Sequence, residues 1–153
     1  MNRSECSVVT FIDILGFKNL VAHKSNSEMV EILSLFHQKN SESPFFPSEI
    51  SPQVVDNLIK IKTVFFSDSV VRIRYVPEWE ARNPSDGHLM CILEKELVIL
   101  AEIQASLLKK GILIRGGITI GEIYYNEETH QLFGKAMNRA YELESTLANY
   151  PEL

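Results

Sequence analysis

The chain has 153 residues, 45% of them hydrophobic and 23% charged, enough for one domain with a sizeable core and too little for two. That composition excludes a fibrous, collagenous or wholly disordered chain, and 15 Lys and Arg against 20 Asp and Glu, a formal charge of -5, argue against nucleic acid as the main partner. No stretch approaches the roughly 20 apolar residues of a membrane span, and Met1 to Cys6 lacks the apolar run of a secretion signal, so a cytoplasmic protein with no membrane partner is expected.

In chain order, Ser7 to Ile14 (SVVTFIDI) is β-branched and aromatic with almost no polar interruption, as in a central strand covered on both faces. Gly16 breaks it. Ser25-Asn26-Ser27 is a capping cluster, followed by Met29, Ile32, Leu33 and Phe36 at helical spacing, which predicts one amphipathic helix ending near Asn40. Ser41 to Pro52 reads as a surface loop carrying the apolar pair Phe45-Phe46. Leu58 to Tyr75 reads as two strand arms turning at Ser67-Asp68-Ser69, and the alternation of Arg72 and Arg74 with Val71, Ile73 and Tyr75 predicts one wetter face on the second arm. A polar connector from Pro77 to Gly87, with Ser85-Asp86 as a cap, leads to a helix from about Leu89 to Lys110. Its stripe of Leu93, Leu97, Leu100, Ala101 and Leu108 is expected on the sheet, and Lys109-Lys110-Gly111 is its stop signal.

Ile112 to Tyr125 is again strand-like but punctuated by Gly116, Gly117 and Gly121, which predicts close backbone approach or a bulge. Asn126 to His130 makes a turn, and a last helix after Gly134 carries Ala136, Ala140, Leu143 and Leu147 on one face. The order is βαββαβ with additions, an α+β, ferredoxin-like plan with a central, mostly antiparallel sheet and helices packed on it. Residues 1–153 read as a single domain. The stop at Tyr150-Pro151-Glu152-Leu153, directly after a helix, suggests that the natural product or a related longer form continues.

Two acids stand out. Asp13 lies inside an apolar run, where an unpaired buried carboxylate costs ~3–5 kcal/mol, and Asp68 sits at the hairpin tip between two serines. In a βαββαβ sheet the first strand and the hairpin are neighbours, so both carboxylates can converge on one edge, which suits magnesium when phosphates complete its shell. The plainer reading is a capping Asp13 and a turn-serving Asp68. Cys6 and Cys91 form no CxxC and read as ordinary buried thiols; His23, His37, His88 and His130 have no metal-ligand spacing; Phe65 and Phe66 face opposite sides of the sheet. No P-loop or GxGxxG occurs.

The segment Phe11 to Leu20 (FIDILGFKNL) resembles the first metal-binding segment of class III nucleotidyl cyclases, and Phe66 to Val71 (FSDSVV) their second metal-binding hairpin, with Ser67 where a glycine is usual. Ile114 to Ile123 (IRGGITIGEI) is similar to the following strand and glycine turn, and Phe133 to Glu144 (FGKAMNRAYELE) to the helix with the transition-state Asn and Arg. The four segments run in the family's order over most of the chain, and the wording of FIDILGF, FSDS and RGGITIG is closer to the pyrimidine cyclases of bacterial Pycsar anti-phage defence than to ordinary adenylate cyclases.

This resemblance implies a cyclase or palm-type core that converts a nucleoside triphosphate, UTP ahead of CTP, to a 3′,5′-cyclic nucleotide such as cyclic UMP and pyrophosphate. It implies two Mg2+ or Mn2+ ions held by Asp13, Ile14 and Asp68, substrate contacts from Gly16, Phe17 and Ser67, catalytic roles for Asp13, Asp68, Asn138 and Arg139, and a homodimer whose sites form between subunits. The sequence departs from the family's pattern at two places. Four residues after Asn138, where an arginine is expected, stands Glu142, with Arg139 about 100° round the helix; Val64 stands where adenylate cyclases have an adenine-reading lysine, with Lys62 two residues before it. The alternatives are a cyclase-homology module without catalysis, which binds nucleotide or dimerises, and an unrelated ferredoxin-like binding domain.

Overall fold

The computed structural model describes residues 5–38, 61–76 and 86–148. The expected loop from Ser41 to Pro52, the start of the first hairpin arm at Leu58, most of the polar connector with Ser85, and the last residues lie outside them. Among the described residues a sheet is formed by β1 (Glu5–Ile14), β2 (Ile61–Phe66), β3 (Ser69–Tyr75), β4 (Ile114–Tyr125) and β5 (Leu132–Phe133), in the spatial order β2-β3-β1-β4-β5. Every pairing is antiparallel. Four helices accompany it: α1 (Phe17–His23), α2 (Asn26–Ser34), α3 (Asp86–Leu108) and α4 (Lys135–Leu147). The α+β plan with a central antiparallel sheet is thus what the chain adopts.

β1 is central because both its faces are apolar. Ile12 and Ile14 pack with Ile99, Ile103 and Leu107 of α3, while Val9 and Phe11 pack with Ala136 and Ala140 of α4. The strand therefore separates two cores, one under each helix. After β1 the chain forms two helices, α1 and α2, where one was expected. Gly16, at φ 67, opens α1, and Ser25 starts α2 with a reciprocal cap: its side chain accepts from the Glu28 N–H while the Glu28 carboxylate accepts from the Ser25 N–H.

On the α3 face the sequence reading needs correction. Arg72 and Arg74 do not mark a wetter face of β3: they are 0% and 1% exposed and both pair with Glu96 of α3. Glu96 belongs to the row Ile92, Glu96, Ile99, Ile103 and Leu107 that faces the sheet, whereas Leu97, Ala101 and Leu108 of the expected stripe are exposed. The same offset occurs on α4, where Ala136, Ala140 and Glu144 are buried and Leu147 is exposed. Cys91 is exposed and Cys6 half-buried, so neither is a fully buried thiol.

α3 ends as its sequence indicates. Gly111 takes φ 72, its N–H donates to the Leu108 carbonyl, and the Ile112 N–H donates to the Leu107 carbonyl, the paired bonds of a Schellman motif. Gln104 fixes the exit: its amide donates to the Ile112 carbonyl at 3.3 Å and accepts the Ile114 N–H at 3.1 Å. β4 then pairs with β1 residue for residue from Ile14↔Ile114 to Glu5↔Ile123, so its glycines serve close approach, not a bulge. A Cβ on Gly117 would overlap the Ala140 carbonyl oxygen and lie 2.7 Å from the Leu143 Cβ.

Candidate active site

Alternation along β1 puts Val9, Phe11 and Asp13 on the α4 face. Asp13 is in register with Ser69 of β3 on one side and Arg115 of β4 on the other. The next residue, Ile14, donates its N–H to the Asp68 carbonyl at 3.0 Å. The two aspartates thus stand at one end of adjacent strands, offset by one residue. Asp68 is exposed in the β2–β3 turn, where Ser69 Oγ donates to its Oδ1 at 3.5 Å. Ser67 beside it sits at φ 53, a left-handed backbone that costs a non-glycine residue roughly 1–2 kcal/mol, which is the physical reason a glycine suits that position.

The compensation that Asp13 requires comes from Arg115, whose Nε donates to Oδ2 at 3.1 Å. Among the described residues Oδ1 accepts no hydrogen bond. A third charge completes the cluster: Glu144 Oε1 lies 2.5 Å from the same Nε, and the three side chains are 21% (Asp13), 35% (Arg115) and 4% (Glu144) exposed. The partnership was not read from the sequence, although Arg115 opens the glycine-punctuated strand. The signal that would have found it is charge: an acid inside one central strand calls for a base on the strand beside it, and IRGGITIG supplies a single one. Glu144 was hidden because Leu147 offered a more conventional inward residue.

Gly16 turns the chain out of β1, and its carbonyl accepts from Asn19 and Leu20. The Phe17 side chain packs on the α3-face core, which leaves its backbone N–H as the group a ligand would meet. Asn138 and Arg139 are exposed. Because Ala136, Ala140 and Glu144 face the sheet, Asn138 points to the opposite side of α4, and Arg139 Nη1 pairs with Glu142 Oε2 at 3.1 Å. Within one chain neither is brought to Asp13 and Asp68. Val64 pairs with Val71, and Lys62, on the same side of β2, is held by Glu127 at 3.0 Å and lies 5.1 Å from the centre of the Tyr125 ring. Phe65 packs edge-on to Phe36 at 6.4 Å, while Phe66 is 41% exposed.

Two carboxylates and the Ile14 carbonyl, through which alone that residue could ligate, are an all-oxygen donor set. Such a set fits Mg2+ or Mn2+ with water and phosphate oxygens completing the shell. Among the described residues no three His, Cys, Asp or Glu side chains converge into a closed cage, and no helix is long and apolar enough to cross a membrane.

No family model and no curated protein matches the chain by sequence. Solved structures do match by fold. The adenylyl cyclase CyaB from P. aeruginosa superposes with a TM-score of 0.52 at 16% identity, over 95% of this chain and 74% of that one. The catalytic core of a rhodopsin-guanylyl cyclase with converted specificity, in complex with ATPalphaS, gives a TM-score of 0.54 at 18% identity, over 94% and 72%. The fold is that of cyclase catalytic cores.

Proposed function

We propose that residues 1–153 act as one cytoplasmic catalytic domain of a nucleotidyl cyclase, which closes a nucleoside triphosphate to a 3′,5′-cyclic nucleotide and releases pyrophosphate. The observation that carries this reading is the placement of Asp13 and Asp68 at one end of adjacent strands, in a fold shared with an adenylyl and a guanylyl cyclase core. Asp13, Asp68 and the Ile14 carbonyl would hold two Mg2+ or Mn2+ ions. These would supply the acidification of the ribose 3′-hydroxyl and charge neutralisation on the leaving phosphates.

The chain's own residues do the rest. The first N–H groups of α1, at Gly16-Phe17, lie close along the chain to Asp13 and are positioned to orient phosphate oxygens, with Ser67 flanking the second aspartate. Arg115 balances Asp13 and keeps a cationic side chain beside it. Asn138 and Arg139 face away from their own sheet, so they serve catalysis only across a two-fold dimer. In that dimer the strand Arg115 to Gly121 and helix α4 lie near the partner.

Val64 in place of an adenine-reading lysine, with the wording of FIDILGF and RGGITIG, favours a pyrimidine, UTP ahead of CTP, and a role in anti-phage signalling. The test is incubation with each of the four nucleoside triphosphates and Mn2+, followed by mass detection of products. Cyclic UMP is expected; cyclic AMP from ATP with nothing from UTP or CTP would overturn the base assignment. One observation favours the non-catalytic module as a second reading: the Arg139–Glu142 pair neutralises the nearest arginine to the transition-state position. Silence with all four substrates is the outcome that selects it, and a strict monomer at high micromolar concentration with nucleotide and Mn2+ present counts against catalysis.

A further inference from the structure

One member of the charge cluster has no part in the proposed chemistry. Glu144 is 4% exposed, and its Oε1 accepts no hydrogen bond although Arg115 Nε is 2.5 Å away. The Nε–H is aimed instead at Asp13 Oδ2, 3.1 Å distant. One N–H thus faces two carboxylate oxygens and satisfies one of them. A buried carboxylate oxygen without a hydrogen bond is costly. A small turn of the guanidinium toward Glu144 removes that cost and uncovers Asp13, and the terminal nitrogens of Arg115 donate to nothing among the described residues that would oppose the turn. Arg115 therefore has two arrangements, one on Asp13 and one on Glu144.

We infer that Glu144 is a positioning residue that takes over Arg115 when a divalent cation claims Asp13. The inference rests on the reading of Asp13 and Asp68 as cation ligands. A cation and a guanidinium compete for the same carboxylate, and a displaced arginine left beside the ion without a counter-charge would repel it. Glu144 supplies that counter-charge from the buried side, so cation binding exchanges one ion pair for another. Its effect on cation affinity is then a coupling between the two carboxylates through Arg115.

The experiment is Mn2+ binding to the full chain without nucleotide, followed by the electron paramagnetic resonance of the free ion. Wild type, D13N, E144Q, R115M and the double variant R115M/E144Q are compared. E144Q should bind Mn2+ more weakly by about fivefold or more, the low end of ordinary coupling. In the R115M background the same change should alter affinity by less than about twofold; a role in packing alone would give equal effects in both backgrounds. Should E144Q not fold, E144D, which withdraws the carboxylate by one methylene, should fall between wild type and D13N. Wild-type affinity in E144Q or E144D, with binding lost in D13N, overturns the inference and leaves the cation ligands standing. Equal binding by wild type and D13N removes both.

Discussion

Each face of the sheet holds a cluster of three charged side chains, and the two clusters are built in opposite ways. Under α3, Arg72, Arg74 and Glu96 are 0%, 1% and 1% exposed. Arg72 donates to Glu96 at 2.7 Å, to the Gln38 carbonyl at 3.1 Å and to the Phe36 carbonyl; Arg74 donates to Glu96 at 3.0 Å, and Thr10 adds a hydroxyl to the same carboxylate at 3.3 Å. The surplus of positive charge is absorbed by backbone oxygens. On the α4 face, Asp13, Arg115 and Glu144 carry a surplus of negative charge; Asp13 and Arg115 are partly open, and the buried Glu144 leaves one oxygen without a hydrogen bond. A network completed by protein atoms holds an element in place; one short of a cation leaves room for something to be added.

The contrast breaks most visibly at Glu96. Replacing it by Gln leaves two buried arginines short of their counter-charge, and E96Q should lose ~3–5 kcal/mol in urea denaturation. Acid should attack the same point. Burial alone would raise the Glu96 carboxyl, but hydrogen bonds and charge from Arg72, then Arg74, outweigh it and hold it below the usual carboxylate range. A depressed folded value means that this stabilisation is present above the unfolded value and is lost as pH falls through the folded one. Urea midpoints measured on either side of that range should therefore fall toward acid in wild type, and with a smaller slope in E96Q.

A smaller loss is expected where α4 presses on β4. At Gly117 a methyl group meets the Ala140 carbonyl oxygen and the Leu143 Cβ, neither of which can turn aside, so G117A should cost ~1–3 kcal/mol by the same assay. The least effect on stability is expected at Asp13. Its pair with Arg115 is partly solvated and Glu144 remains as a counter-charge, so D13A should change stability by under ~1 kcal/mol while abolishing turnover. A D13A loss as large as that of E96Q would show that the two clusters are alike.

Much of this arrangement is legible from residue types. SVVTFIDI reads as a central strand because no solvent-facing strand could afford its composition, and the oddity of Asp13 there leads directly to the site. The buried arginines escape the same reasoning: alternation separates two faces but cannot tell a solvated cation from one closed by a carboxylate on a distant helix. That carboxylate, Glu96, also misdirects the reading of α3, since an acid in the inward row makes the neighbouring leucine row look like the core face. The register of β4 on β1, which brings Arg115 to Asp13, depends on a pairing between residues far apart in the chain and has no local signal.

The connection from α3 to β4 has a consequence for which changes of length the molecule tolerates. The paired bonds at Gly111 and the two bonds from Gln104 to Ile112 and Ile114 leave no slack in residues 109–113. Side chains alternate along a strand, so one residue inserted there would turn β4 over if the new length were absorbed in the strand. Arg115 would then move to the face of α3, and Ile114 would take its place beside Asp13. An insertion absorbed in the turn would instead break the clamp made by Gln104. Variation in length should therefore be scarce between Leu108 and Ile114, even where the identity of an exposed residue such as Lys109 is free to change.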